Sequence, residues 1–298
     1  MAALKNLATA KKRVPDHPDL APLDEQVSAA KSESDTKYAA YAERAKKPAT
    51  KTQQREIEKL RAAALGTCKD CRQYAAIKMV EPRRGACLES LAGLGKKPGG
   101  ACWDMLGKRT KGPEMVVVPS GGGGKPFAIG KYEISGKDYN AFCKATGTCK
   151  RLPRSKAKLP LTGISVQQAE TYAKWVSQEA SKTEKSTVVY RLPTEAKWEH
   201  AAKAGGAQPE KKYNCRVTSG SSILSGHALI DAKSGQPNGW GLANYVGNAQ
   251  EWVQSGGSVK ARGGAFEDPL TKCDISNSRS HGGQPDPMTG FRLVRQAG

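Results

Sequence analysis

The chain has 298 residues, more than one average domain needs, and a formal net charge of +20 at pH 7. It contains no apolar run of the ~20 residues that a membrane-spanning helix requires, and its first residues lack the apolar core of a signal peptide. Basic residues are interspersed with acidic ones, and no zinc-finger, recognition-helix or aromatic RNA-binding motif accompanies them. We therefore expect no specific nucleic-acid recognition. The charge indicates a solvated basic surface, the alternative being attraction to an acidic partner such as the anionic cell envelope or nucleic acid.

The N-terminal third of the chain predicts helices. Residues 23–46 and 51–65 are rich in the helix formers Ala, Lys, Glu and Gln, with Pro48 between the two stretches. Their apolar residues are small and sparse, so such helices bury little surface alone. We expect a helical hairpin or stalk over residues 1–65, followed by a small cysteine-containing segment over residues 66–112.

The composition changes at Met115, where strand signals begin. The sequence Met-Val-Val-Val-Pro predicts a short buried strand, and residues 127–134 form a second strand-like run. Ser165 is a good N-cap for a helix whose apolar residues recur at a spacing of three and four, and Thr194 is the N-cap of another helix. Beyond residue 206 the sequence is rich in loops.

Eight cysteines, an even number placed mostly in loops, favour disulfides. Cys143 and Cys149 are the strongest local pair, because the Gly-containing interval between them allows a turn that brings the two Cα atoms within ~6 Å. Cys215 and Cys273 are then the long-range pair. The other four permit three connectivities that the sequence does not rank: Cys68, Cys71, Cys87 and Cys102. A zinc site is the alternative for these four, although only the first two have CxxC spacing.

Paired cysteines indicate an oxidising compartment. We therefore expect a periplasmic or extracellular protein whose signal or anchor is absent from this chain, so that membrane attachment would come only through such a segment. The alternative is a cytosolic protein with free thiols.

Seven separated segments resemble one family, in the order in which that family shows them. The segments are Phe127–Glu133, Pro160–Ser165, Tyr190–Glu199, Asn238–Leu242, Gly247–Trp252, Arg262–Gly264 and Gly290–Arg292. They resemble the formylglycine-generating-enzyme, or sulfatase-modifying-factor, domains. The resemblance implies an α+β domain with a C-type-lectin-like fold, two helices, short twisted strands and long loops. We expect it over residues 113–298, preceded by the helical N-terminal region.

Two of these segments have a structural interpretation of their own. Pro193 keeps the residue before it extended while Thr194 caps a helix, so the Arg-Leu-Pro-Thr-Glu segment is a switch from strand to helix. Arg292, in Gly-Phe-Arg, is predicted to be a buried hydrogen-bonding fork.

The segment from Asn244 to Glu251 is the metal candidate. In the family that it resembles, the matching Asn and Glu side chains and two backbone carbonyls hold a calcium ion, a hard cation that prefers oxygen ligands. The resemblance therefore implies structural calcium at Asn244, Gly247, Ala249 and Glu251. The alternative is an Asn- and Gly-rich turn closed by internal hydrogen bonds.

The reactive groups of the family are incomplete in this chain. The family places a serine directly after Arg-Gly-Gly and two cysteines further on, whereas Ala265, Asp268 and Cys273 stand at these positions. Paired thiolates select copper(I), and one cysteine does not make such a pair, so we expect no copper and assign no catalytic residue. A related branch holds iron with three histidines, but the four histidines here include no helical HxxxH pair.

These observations favour a non-catalytic, extracytoplasmic binding or sensor module. The domain looks like the periplasmic portions of bacterial membrane-bound serine/threonine kinases and accessory proteins of type VI secretion. A protein or envelope ligand would bind its loop-rich face, residues 206–240 and 265–289. One alternative is a metal-dependent oxidoreductase with an altered active site that uses Asp268, Asp274, His281 or Asp286. Another is a structural or assembly protein of an envelope complex that acts through the N-terminal helices.

Overall fold

The structure is a computed structural model that describes residues 20–45, 59, 85–108, 110–121, 124–206 and 213–297. The chain divides into two compact units, residues 1–84 and 85–298. In the first unit the structure shows helix α1, Leu20–Ala45, which includes nearly all of the first predicted helix. The second predicted helix, 51–65, lies outside the described residues except for Lys59, as do Cys68 and Cys71. None of the described helices combines the length and apolar character needed to span a bilayer.

The second unit is an α+β domain, as the family resemblance implies. Its described helices are α2, Gly136–Thr146, α3, Val166–Glu184, and α4, Glu195–Lys203. Its described strands are β1 Ala101–Cys102, β2 Met115–Val118, β3 Phe127–Gly130, β4 Val217–Ser219, β5 Ser222–Ser225, β6 Gln250–Ser255, β7 Ser258–Arg262, β8 Ser278–His281, β9 Thr289–Gly290 and β10 Val294–Gln296. This unit begins at Gly85 and so includes residues 85–112, which the sequence analysis placed in a separate segment.

The strands form two sheets and a hairpin. The first sheet has the order β1-β2-β3-β10 and is antiparallel throughout. The second has the order β8-β7-β6-β9, in which β6 and β9 run parallel. Strands β4 and β5 pair only with each other among the described strands. The last strand of the chain therefore completes the sheet that the first strands begin.

Strand β2 contributes to two hydrophobic cores. All four of its residues are buried, and successive side chains of a strand point to opposite faces. Met115 and Val117 join a cluster that contains the buried faces of α2 and α3. Val116 and Val118 join a second cluster that contains the buried residues of α4. The uninterrupted apolar sequence is thus explained by burial of the sheet on both faces.

The helices begin at side-chain caps. Ser165 and Gln168 form a reciprocal capping box at the start of α3, and the hydroxyl of Thr194 accepts a hydrogen bond from the Lys197 N–H at 3.3 Å. Helix α2 is absent from the sequence analysis, although Ser135 and Asp138 form a capping box there too. It ends at a glycine, Gly147, in the left-handed conformation (φ 68°).

Three disulfides join cysteines of the described domain. Cys143–Cys149 and Cys215–Cys273 are the two pairs that the sequence analysis proposes. Cys87–Cys102 is the third, and it removes these two sulfurs from any zinc site, because a disulfide has no thiolate to offer a metal.

Candidate functional site

The Arg-Gly-Gly segment at the end of β7 anchors the loop that follows it. One guanidinium nitrogen of Arg262 donates to Glu195 at 2.8 Å, and another donates to Glu199 at 3.2 Å and to the Ile275 carbonyl at 2.7 Å. Gly263 has a left-handed φ of 88°, and a Cβ there would lie 2.8 Å from the Tyr245 carbonyl oxygen. The motif therefore has a structural role, which requires both the arginine and this glycine.

Glu195, the first residue of α4, accepts hydrogen bonds from Arg262 and from other side chains around this segment. Its carboxylate accepts hydrogen bonds from Lys260, Ser255, Ser278 and Arg262. The hydrogen bond from Lys260, followed by that from Ser255, lowers the pKa of Glu195 to about 2. The carboxylate is ionised at neutral pH and holds β7 and β8 against α4.

The positions that carry the family's reactive groups hold other side chains or a disulfide in this chain. Ala265 is buried and has only a methyl group where the family has a hydroxyl. Asp268 accepts the Ala265 N–H at 2.8 Å and pairs with the Arg279 guanidinium at 2.5 Å. Cys273 is bonded to Cys215, and none of the described cysteines is a free thiol. The loop therefore holds a methyl group, an ion pair and a disulfide in place of the hydroxyl and the paired thiols of the family.

A polar network continues from this loop toward β9. The second guanidinium nitrogen of Arg279 lies 3.5 Å from Gln250 Oε1, and Gln250 donates from Nε2 to Asp286 at 3.1 Å. His281 Nε2 is also 3.5 Å from that Asp286 oxygen. The structure thus joins Asp268, His281 and Asp286 through Arg279 and Gln250.

The acceptors of this network are already occupied. Burial raises the pKa of Asp286, but hydrogen bonds from Thr289 and from the Met288 N–H outweigh it, and the pKa lies below its ordinary value. A carboxylate with a lowered pKa is a weak general base. Asp274 accepts the Ser276 N–H at 2.7 Å. The arrangement is suited to holding the loops in place.

The proposed calcium loop is sharply bent. Asn244, Gly247 and Asn248 all have left-handed φ angles, of 50°, 73° and 61°. The Glu251 carboxylate, however, accepts bonds at one oxygen from Arg292 Nη2 (2.5 Å) and at the other from Arg292 Nε (2.6 Å) and Trp198 Nε1 (2.8 Å). The guanidinium charge opposes a dication at this carboxylate.

Residues of the other predicted ligand positions make hydrogen bonds to Glu133 and to the Ala232 carbonyl. The amide nitrogen of Asn244 donates to Glu133 at 3.1 Å and to the Ala232 carbonyl at 3.0 Å, and the N–H of Ala249 donates to Glu133. Within the described ranges, no three His, Cys, Asp or Glu side chains form a metal-binding group. As these side chains are placed, they do not fit a calcium ion bound through Glu251. Structural calcium stays a prediction.

Glu133 is the centre of this region, a role that the sequence analysis did not assign. Its buried carboxylate accepts hydrogen bonds from the side chains of Asn244 and Asn248 and from the Ala249 N–H, at 3.0–3.2 Å. Burial, and then the nearby charge of Glu251, raise the pKa of Glu133 to about 8. The sequence shows only an acidic residue next to the apolar Ile134. The hydrogen-bond partners of Glu133 lie more than a hundred residues away in sequence, so its role could not be predicted.

Replacement of Glu133 by Gln is expected to make stability less dependent on pH. Because the folded pKa is raised, the folded state holds a proton that the unfolded state releases near pH 4.5. The free energy of unfolding of the parent therefore falls as pH rises from about 4.5 to about 8, by up to ~1.4 kcal/mol per pH unit. Urea unfolding between pH 5 and pH 9 measures this slope, and equal slopes in parent and E133Q would contradict the prediction.

Arg292 is the buried fork that the sequence analysis predicted, and this prediction is confirmed. Its side chain is fully buried, and besides Glu251 it donates to the carbonyls of Gly130 at 2.8 Å and Ala243 at 2.9 Å. Arg292 thereby connects β3 and β6 with the proposed calcium loop. Asn238 has a similar role, since its amide donates to the Ala201 and Ala202 carbonyls at the end of α4.

The comparisons with known proteins agree with this architecture. The chain is 28% identical over 265 residues to a formylglycine-generating enzyme of Thermomonospora curvata, which covers 67% of this chain and 78% of the relative. It is 34% identical over 104 residues to the serine/threonine-protein kinase pkn1 of Chlamydia pneumoniae, which covers 33% of this chain and 14% of the kinase. The solved structure of PvdO from Pseudomonas aeruginosa is similar, with 25% identity and a TM-score of 0.53, over 67% of this chain and 99% of that one.

The family model described as "Sulfatase-modifying factor enzyme 1-like domain" matches residues 106–297, which is most of the second unit and more than half of the chain. The anchored Arg-Gly-Gly segment, the Arg292 fork and the strand-to-helix switch at Thr194 all lie within the matched residues. The chain belongs to the family of sulfatase-modifying factor enzyme 1-like domains.

Proposed function

We propose that this chain is a non-catalytic binding module, which recognises a protein or envelope ligand and serves as a sensor or docking domain. The observation that carries the proposal is the state of the three reactive positions, where Ala265, the Asp268–Arg279 ion pair and the Cys215–Cys273 disulfide stand. Paired thiolates are what would select copper(I). The scaffold is retained while the groups for oxidation are replaced, which supports binding as its present use.

An extracytoplasmic location is part of the proposal. Three disulfides join described cysteines of one domain, and disulfides persist in oxidising compartments. The similarity to a segment of a serine/threonine-protein kinase supports a role in signalling. A non-reducing mass measurement of protein from its native source tests the location, since fully reduced cysteines would contradict it.

The binding surface that we propose is the loop-rich face around β4, β5 and the loop 265–289. Leu224 of β5 is 62% exposed, and Ile223 and Leu270 are also exposed. The Leu270 N–H donates to the Arg216 carbonyl at 3.1 Å, so the loop and the hairpin are linked. Exposed apolar side chains held by rigid elements are typical of protein-binding sites.

The experiment that tests the proposal has two readouts on the full chain. Cross-linking in cells that express the chain is expected to capture a partner, and Leu224→Asp is expected to lower its yield at least tenfold, because a buried apolar contact would be replaced by a charge. Val189→Asp is the matched control, since Val189 is 56% exposed and outside this face. Equal capture by both variants would reject the proposed surface.

The second readout addresses the alternative of an altered oxidoreductase. Metal analysis and oxygen consumption with a thiol-containing peptide are expected to show neither stoichiometric copper or iron nor turnover. Bound redox metal together with oxygen uptake would overturn the non-catalytic proposal. The His281–Asp286 contact would then be the first place to test, because it is the titratable pair in the network beside the loop.

A further inference from the structure

A cavity of about 640 Å³ lies apart from the loop 262–289. This volume is within the range of roughly 300–1,000 Å³ that is usual for small-molecule sites. Its walls come from Trp103 and from residues 111–114, 132–138 except Gly136, 157–158 and 231–233. None of the replaced reactive positions lines it.

The wall that carries Trp103 is fixed by covalent and steric constraints. Its neighbour Cys102 is fully buried and bonded to Cys87. The backbone N–H of Trp103 donates to the Gly85 carbonyl at 2.8 Å. Gly85 has a φ of 79°, and a Cβ at this residue would lie 2.5 Å from the indole ring. The ring is therefore held in one position before any ligand arrives.

The rest of this wall is anchored to the core through Asp104. The Gly112 N–H donates to the Asp104 carbonyl at 2.8 Å, and the buried Asp104 carboxylate accepts the Tyr190 hydroxyl at 2.6 Å and pairs with Arg295 at 3.1 Å. The Lys111 ammonium group lies 3.9 Å from the centre of the Trp103 ring, within the range of a cation–π contact. The aromatic ring thus positions a positive charge at the cavity.

The opposite walls are also joined by backbone hydrogen bonds. The Lys137 N–H donates to the Ala157 carbonyl at 2.8 Å, and the Ala232 N–H donates to the Lys158 carbonyl at 3.0 Å. Three chain segments that are distant in sequence are therefore locked together. A cavity that is formed in advance costs a ligand less ordering entropy than one that must assemble.

Three of the four lysines that line the cavity have no acidic partner among the described residues. Lys233 is 3.7 Å from the Glu114 carboxylate. Lys111, Lys137 and Lys158 form no ion pair in the parts of the chain that the structure shows. Lysines that line one cavity without carboxylate partners give it a positive charge that favours an oxyanion.

Two carboxylates of the cavity retain capacity to accept hydrogen bonds. Asp138 uses Oδ2 for the N–H and hydroxyl of Ser135, and Asp231 uses Oδ1 for the Lys233 N–H. The other oxygen of each accepts no hydrogen bond from a described residue. Carboxylate oxygens are acceptors only and pair with donors such as hydroxyl groups.

We propose that this cavity binds a hydroxylated organic anion, a sugar acid or a sugar phosphate. Its carboxylate or phosphate would contact Lys111, Lys137 and Lys158, and its hydroxyls would donate to Asp138 and Asp231. A neutral sugar leaves the ammonium groups without a partner, and inorganic phosphate brings no sugar hydroxyls to the two carboxylates. The exposed apolar residues Ile223, Leu224 and Leu270 do not line this cavity, so the site adds a small-molecule function to the proposed binding of a partner.

Isothermal titration of the full chain at constant ionic strength tests this site. The probes are glucuronate, glucose 6-phosphate, glucose and inorganic phosphate. We expect glucuronate, glucose 6-phosphate or both to bind, with glucose and inorganic phosphate at least tenfold weaker. Preference between the first two distinguishes a carboxylate from a phosphate ligand. Equal or absent binding of all four probes would overturn the proposal.

A matched pair of variants separates a specific site from general charge attraction. K137M/K158M is expected to weaken binding of the preferred probe at least tenfold, since it removes two charged hydrogen-bond donors for the anion. K144M/K174M has the same net charge, and both of these lysines are exposed on helices outside the cavity. Equal loss in both variants would reject the site. Partner capture through Leu224 is measured independently, so failure of one proposal does not imply failure of the other.

Discussion

Replacement of Arg292 by Met is expected to lower the free energy of unfolding by about 3–5 kcal/mol, because it leaves the buried Glu251 carboxylate without its counter-ion. The Arg292 side chain is fully buried and Glu251 nearly so. The guanidinium also satisfies the carbonyls of Gly130 and Ala243. Urea unfolding followed by tryptophan fluorescence measures the change.

Two further variants make this measurement specific. Lys182→Met removes an exposed ion pair with Glu179 and is expected to cost less than about 1 kcal/mol. The double variant R292M/E251Q is expected to recover part of the loss, since it removes the uncompensated charge. A loss in R292M no greater than that in K182M would show that the pair is unimportant to the fold.

The Cys215–Cys273 disulfide is expected to have the second large effect. It joins residues 58 apart in sequence, and the entropy of closing such a loop in the unfolded chain corresponds to about 4 kcal/mol. The double variant C215A/C273A should therefore lose about that much stability, and the loop that bears Ala265 and Asp268 should open first. Thermal and urea unfolding under non-reducing conditions measure the loss.

The Cys143–Cys149 pair supplies the control. Its two residues are 6 apart in sequence, so the same reasoning gives about 2 kcal/mol for C143A/C149A. Removal of the long-range disulfide should thus lower the free energy of unfolding more than removal of the local one. The opposite order would mean that native packing, rather than loop closure, decides the contribution of these bonds.

The features that could be predicted from the sequence are mostly local. Met115–Val118 was readable as a buried strand because four apolar residues in a row need no distant partner to be recognised. Ser165 and Thr194 were readable as caps because a cap bonds to residues only three positions away. The same rule applies to Ser135 and Asp138, yet helix α2 was missed because Cys143 and Cys149 were interpreted as part of a loop.

The features that could not be predicted depend on contacts between distant segments. Glu133 meets Asn244 and Asn248 at separations of 111 and 115 residues. Strand β1 has only two residues, too few to show alternation, so the domain's beginning at Gly85 was not apparent. The cavity is formed from Trp103 and four separated stretches of chain, and its lysines resemble any solvated charge until the fold brings them together.

The position of β10 in the first sheet has a consequence for biosynthesis. Val294–Gln296 pairs with Phe127–Gly130, and Arg292 lies just before it. Because synthesis proceeds from the N-terminus, the ribosome releases β3 well before β10, and until β10 and Arg292 follow, the edge of β3 and the Glu251 carboxylate lack these partners. A nascent chain that stops short of Phe291 therefore leaves a strand edge open to association with other chains.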